Sequence, residues 1–278
     1  MPKTLNPYQD VQMKVEHSLT ASSARRDQAA PFVPAAAIVR RGPAPAAAAA
    51  PRTTSSAGTP VAAVRLATMA IIHQAELQPT KLELLEEWLP RQPWFTEPGT
   101  AGLRKVGSYR FDDPAGEVGI ETIIVSVGSS TVQVPLTYRA QPLAGAEPWL
   151  VGTMQHSVLG PRWVYDACAD PIYVAALAAS IMLGRPQADQ YLQAEGKQQL
   201  LAQSVLVHST GPKHDAVPDV SSPTPRTTDA GTAIETANLR ILVTRRLDLT
   251  EQPVGRLTLT GTWEGQTESV KLAAIGDA

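Results

Sequence analysis

Tyr109-Arg-Phe-Asp-Asp-Pro-Ala-Gly-Glu-Val-Gly-Ile-Glu121 packs acids, glycines and one proline between two runs of strand-like residues. Pro and Gly within Asp112-Asp-Pro-Ala-Gly116 are turn residues, so the flanking runs read as neighbouring antiparallel strands. Residues 103–111 form the first. Residues 117–127 form the second, with Val118, Ile120, Thr122 and Ile124 on one face and Gly119, Glu121, Ile123 and Val125 on the other. Such alternation has the period of a strand. Gly128-Ser-Ser130 then leads into a third strand over 131–139, and a short polar link of this kind closes a hairpin. An antiparallel sheet is therefore the expected centre of the fold.

Upstream, residues 70–77 read as one strand. Thr80 with Glu83 three residues later is a capping-box pattern. Leu82, Leu85, Trp88 and Leu89 come next at helical spacing, and Pro90 stops the helix. Trp94-Phe95 is expected to pack under its end. Downstream, residues 148–158 have an apolar bias without a firm period, and residues 162–167 read as a short strand. Asp170-Pro171 opens a second helix, with Asp at the cap and Pro in the first turn. Its body over 173–183 is almost wholly apolar, predicting burial, and Gly184 ends it. Gln-rich residues 187–203 are expected to be helical. Residues 209–232, rich in Ser, Thr, Pro and Asp, read as a linker. Three short strands over 238–244, 255–263 and 267–274 make a small C-terminal β unit, either added to the main sheet or separate from it. The expected class is α+β: a curved antiparallel sheet packed on helices, a small C-terminal β unit and a disordered N-terminus.

Residues 1–68 have few large apolar residues with which to offset ordering entropy. They hold eight Lys/Arg against three acids, a net of +5, whereas the remainder holds sixteen against twenty-three, a net of −7. This first segment reads as disordered, as an organellar transit peptide, or as an over-extension of the reading frame upstream of Met69. The acidic remainder lacks the basic face that nucleic-acid binding requires. Cys168 is the only cysteine, which excludes an internal disulfide and suits a reducing cytoplasm. It reads as a small buried apolar residue. No apolar run reaches the length of a membrane span.

Three groups of residues bear on chemistry. Asp112, Asp113, Glu117 and Glu121 offer oxygen ligands to a hard cation, a recognition edge for a sugar or partner, or plain turn chemistry; no metal is assigned. Arg110 and Arg139 are placed to pair with these acids across strands. His156, beside Ser157 and with Asp166 downstream, has the residue types of a hydrolytic triad. It reads equally as a polar residue on a sheet edge, because no nucleophile elbow is present. Trp149, Trp163 and Tyr138 form either an aromatic platform or core. His73 reads as a half-buried strand residue.

The run Leu84-Leu-Glu-Glu-Trp-Leu-Pro-Arg-Gln-Pro-Trp-Phe95 resembles the opening of the N-terminal cap of actinobacterial maltokinases, a short helix followed by an aromatic pair. The hairpin over 123–139, and Trp163-Val-Tyr-Asp-Ala167 with Asp170-Pro171 leading into an apolar helix, are similar too. The resemblance covers roughly residues 69–184. It implies a cystatin-like cap preceding a two-lobed kinase that phosphorylates maltose, or glucosamine in relatives, with ATP and magnesium. After Gly184 the sequence departs from that pattern. No Gly-rich or Ser/Asn-rich phosphate loop is present there, and neither is a catalytic-loop or metal-binding Asp motif.

The organisation this implies is a cap-like domain over 69–208, a linker over 209–232 and a β unit over 233–278. The function it implies is a non-catalytic, cytoplasmic cap-like protein of α-glucan, trehalose and glycogen metabolism. Its partner would be a maltokinase-like or glucan-pathway enzyme, or a sugar, and no cofactor is expected. The alternative is a component of an ATP-dependent sugar kinase completed by another chain, which would bring ATP and Mg. The binding residues singled out are Asp112, Asp113, Glu117, Glu121, Arg139, His156, Trp163 and Asp166. Oligomeric state is not legible in the sequence.

Overall fold

The computed structural model describes residues 69–73, 75–194, 197–211, 213–229, 231–250 and 257–276. The readings made for residues 1–68 lie outside the described residues. The strands are β1 (Met69–His73), β2 (Leu77–Gln78), β3 (Arg104–Phe111), β4 (Gly119–Val127), β5 (Ser130–Arg139), β6 (Leu150–His156), β7 (Gly160–Asp166), β8 (Asp189–Ala194), β9 (Lys197–Leu200), β10 (Val205–Thr210), β11 (Thr224–Thr228), β12 (Gly231–Glu235), β13 (Arg240–Thr244), β14 (Thr258–Trp263) and β15 (Gln266–Gly276). Two α-helices accompany them, α1 (Lys81–Trp88) and α2 (Pro171–Leu183).

The first six-stranded sheet is antiparallel with order β2-β6-β7-β5-β4-β3. Two register shifts bend it, one in β3 between Lys105 and Gly107 and one in β6 between Leu150 and Gly152. Bulges increase local twist and curl a sheet, in keeping with its half-barrel form. Both bulges carry a glycine where another element comes close. A Cβ on Gly152 would lie 2.7 Å from Leu84 Cδ2 of α1, and a Cβ on Gly107 would lie 2.8 Å from Val205 Cγ2.

Alternation along β4 divides two cores. Ile123, Val125 and Val127 join Val132, Val134 and Leu136 of β5 beneath α1, against Leu84, Leu85, Trp88, Trp94 and Phe95. Trp88 and Trp94 pack in a tilted pair with ring centroids 5.9 Å apart. Thr80 caps α1 with the reciprocal Glu83 bond, and a 3₁₀ turn over Leu89–Arg91 extends it. On the opposite face, Ile120 and Ile124 meet Tyr173, Val174, Leu177 and Ile181 of α2. Asp170 caps α2 and Gly184 closes it in the left-handed conformation.

The second six-stranded sheet has order β10-β14-β15-β13-β12-β11. Its Val205, Ile234, Ile241, Val243, Leu259 and Leu272 bury against α2 in the same core. That explains why α2 is apolar almost all round: it contributes to a core shared by two sheets. The sheets are also hydrogen-bonded directly. Gln133 N–H donates to the Arg245 carbonyl and Leu247 N–H to the Thr131 carbonyl, around an antiparallel bridge of Val132 with Arg246. The buried Gln133 amide adds bonds to the carbonyls of Thr244 and Leu272.

Several expectations need correcting. Residues 70–77 are two strands in different sheets, because β1 pairs in parallel with β8 while β2 pairs with β6. Residues 187–203 are not helical. They contain β8 and β9, which pair with each other. Helix propensity is readily overridden by tertiary context, and here the glutamine amides bond across the segment: Gln187 and Gln190 both donate to Gln203 Oε1, and Gln203 donates to the Ala188 carbonyl. Within 209–232 lies β11, an edge strand that tolerates Pro225 because an edge leaves its outer side unpaired. The C-terminal β unit is a full six-stranded sheet rather than three short strands.

The shared core yields a prediction. The segment 69–204 alone exposes the α2 face that meets the second sheet and is expected to bind a hydrophobic dye and to lack a cooperative thermal transition, unlike 69–278. A sharp calorimetric transition in the shorter segment would contradict this.

Candidate functional site

At the β3–β4 turn, Asp113 acts as an internal brace. Its Oδ1 accepts from Ala115 N–H at 3.0 Å, and its Oδ2 accepts from Glu117 and Val118 N–H at 3.0 and 2.9 Å. A carboxylate accepting several backbone bonds is turn chemistry. Glu117 is exposed and Asp112 is half-buried at the end of β3.

Glu121 has a different setting. It lies opposite Arg110 in the β3–β4 ladder and is buried on the α1 face. Lys81, the first residue of α1, approaches its Oε2 at 2.6 Å, Arg110 Nη2 lies 3.6 Å from the same oxygen, and Lys105 Nζ lies 3.8 Å from Oε1. Tyr138 donates its hydroxyl to Oε2 at 3.3 Å, and Lys81 also lies 5.5 Å above the Tyr138 ring. Burial alone would push the Glu121 carboxyl up, but Lys81, Arg110 and Lys105 together hold it well below the usual carboxylate range. Glu121 is therefore ionised at neutral pH.

The remaining residues sort by position along the strands. Arg139 forms a two-pronged pair with Asp170, at 2.6 and 2.7 Å, while Asp170 also caps α2 through Ile172 N–H at 3.0 Å. This fork-to-fork geometry is the strong form of an arginine–carboxylate contact. Trp163, half-buried on β7, lies opposite Arg139 in register. Of the two arginines expected to meet the turn acids, Arg110 meets Glu121 and Arg139 meets Asp170. His156 is at the far end of the β6–β7 hairpin, where its Nδ1 accepts from Val158 and Leu159 N–H. It faces Gly160 across the ladder, and Asp166 is six residues further along β7, about 20 Å at strand rise. Ser157 is engaged with Glu76 N–H. His156 and Asp166 are thus not brought together.

Asp166 instead sits at the junction of the two sheets. Its Oδ2 accepts from Arg245 Nη2 at 2.5 Å and its Oδ1 from Cys168 N–H at 3.2 Å, with both charged residues buried. Arg245 also donates to Thr232 Oγ1 at 2.9 Å and to Cys168 Sγ at 3.2 Å, and its guanidinium lies 5.2 Å from the Trp94 ring centre. Burial pushes the Cys168 thiol well above its ordinary value. It is a protonated core residue rather than a nucleophile. Among the described residues, no group of three or more His, Cys, Asp and Glu is placed to hold a metal ion.

Residues 88–170 match the maltokinase N-terminal cap domain. No curated protein matches the chain. The cap match runs from the last residue of α1 to the N-cap of α2, so it holds β3 to β7. It also contains every binding residue singled out from the sequence. Lys81, which completes the Glu121 cluster, lies just before it, and Arg245, which closes the Asp166 pair, lies well after it. Neither partner was singled out beforehand, because each comes from an element distant in sequence. Only the Arg110–Glu121 pairing was recoverable, from the hairpin register.

These charges make two outcomes testable. A carboxyl held low contributes stability above its unfolded value, near 4.3, and loses it as pH falls through the lower folded value. The unfolding free energy of the protein is therefore expected to fall below about pH 5, and Glu121→Gln to flatten that fall while costing about 1–3 kcal/mol at pH 7. Urea titrations of both proteins across this range check it. Arg245→Leu leaves Asp166 buried and unpaired and is expected to cost about 3–5 kcal/mol, with much of the loss recovered by adding Asp166→Leu. Chemical denaturation of the two variants gives the comparison.

Proposed function

We propose that the chain is a non-catalytic cap-like protein of α-glucan metabolism, acting in the cytoplasm by docking on a maltokinase-like enzyme or by holding a sugar ligand. The observation that carries this reading is the cap match over 88–170, joined to the course of the chain beyond it. After α2 the chain passes through β8 and β9, which form a three-stranded sheet with β1, and then into the strands of the second sheet, which bury against the cap's own face. From β10 onward, residues that in the family's pattern would belong to a kinase lobe are here committed to completing the core. In keeping with this, no phosphate loop succeeds α2, and the buried acids are held by cations or backbone amides in structural pairs.

The cap reading also favours a cystatin-like arrangement, in which α2 crosses one face of the curled sheet. The charged end of that sheet, from Asp112 and Asp113 through Glu121 and Arg139 to Trp163, is the docking edge in this reading. Among the described residues no helix is long and apolar enough to cross a membrane.

The alternative is a sugar-kinase component completed by another chain, and one experiment separates the two. Purified protein incubated with ATP, Mg²⁺ and maltose or glucosamine is expected to release no ADP above a protein-free blank. In the same buffer, a maltokinase-like enzyme added in trans is expected to co-elute with it, or maltose to bind it calorimetrically. ADP formation by the pure chain would overturn the non-catalytic reading.

A further inference from the structure

The Glu121 cluster contains more positive charge than its own carboxylate neutralises. Lys81, Lys105 and Arg110 converge on one acid, leaving a local surplus of two positive charges. Like charges gathered in this way repel, so the arrangement costs free energy unless something offsets it. Three acids of the adjoining elements are committed elsewhere. Asp113 is engaged by three backbone N–H groups, Glu83 by Thr80 N–H, and Asp170 by Arg139 and the α2 N-terminus.

The cations are also under-bonded. Lys81 makes a direct hydrogen bond to Glu121, whereas Lys105 and Arg110 stand 3.8 and 3.6 Å from it, beyond a good hydrogen bond. Among the described residues neither side chain donates to any other protein atom. All three cations remain reachable: Lys105 is 30% exposed, Lys81 27% and Arg110 15%, against 3% for Glu121. The guanidinium of Arg110 and the ammonium of Lys105 thus hold unused donors on a partly exposed cluster. Glu121 fixes them from beneath, and the N-terminus of α1 adds its positive end through Lys81, the first helical residue.

We infer that Lys81, Lys105 and Arg110 form an anion site for a compact dianion, a phosphate or phosphomonoester, with Glu121 as the positioning residue that holds the cations together. A phosphomonoester carries close to two negative charges at neutral pH, matching the surplus, and its oxygens accept from the arginine fork and from lysine. A second carboxylate would neutralise only half the surplus.

The test is a thermal and calorimetric titration of the full chain with inorganic phosphate and, in parallel, with glycerol phosphate, each against sodium chloride of equal ionic strength. A saturable rise in Tm that chloride does not reproduce is expected. Equal affinity for both probes assigns the site to the free anion, and tighter binding of the ester assigns it to a phosphorylated molecule. Lys105→Gln leaves Lys81 and Arg110 to hold Glu121 and is expected to fold normally, with binding weakened about tenfold. Arg110→Lys keeps the charge but loses the fork, and is expected to bind more weakly than wild type. No saturable shift with either probe, or an unchanged shift in Lys105→Gln, would overturn the site.

Discussion

Arg245 is buried against Asp166, and the rest of the structure is arranged around that contact. The guanidinium comes from the strand segment that pairs with the start of β5, and the carboxylate from the end of β7, which pairs with the end of β5. One strand edge therefore serves two sheets, and the ion pair sits at the handover. Burial alone would lower the Arg245 guanidinium, but the Asp166 carboxylate keeps its charge in place. Burying such a pair is costly, and removing one member costs more than removing both. Its return here is geometric, because the pair fixes where the first sheet ends and the second begins.

Much of the first sheet was legible. The alternation of Val118, Ile120, Thr122 and Ile124 against Glu121, Ile123 and Val125 is the alternation seen between the two cores. Thr80 with Glu83, and Asp170-Pro171 with Gly184, marked helices whose caps the structure contains. The failures share a cause. The Gln-rich stretch looked helical from its composition, yet Gln187, Gln190 and Gln203 bond to one another around the paired β8 and β9. Thr224–Thr228 looked like linker because an edge strand may be polar and hold a proline. Both were decided by tertiary pairing, which outweighs local propensity.

The charged residues divide in the same way. Asp113 could be read from its own turn, and Arg110 from its place opposite Glu121. Lys81 could not, being forty residues from Glu121 and delivered by α1. Arg245 is further still from Asp166. A carboxylate's nearest acids in sequence suggested a shared ligand site, but in space Asp113 is held by backbone amides and Glu121 by side-chain cations. The acidic turn is thus a structural brace beside a cluster of cations, and the two have opposite electrostatic character.

Pro225 in β11 has a consequence for crowded solution. A sheet rim presents unpaired backbone groups on which a foreign strand can grow. In β11 the proline removes one donor, and the flanking Thr and Arg side chains are polar, so an incoming strand meets a broken ladder on a hydrophilic rim. The second sheet, with a core dense in Val, Ile and Leu, is in this way guarded against fibrillar stacking from that side. At high protein concentration, β11 favours solubility over self-templating.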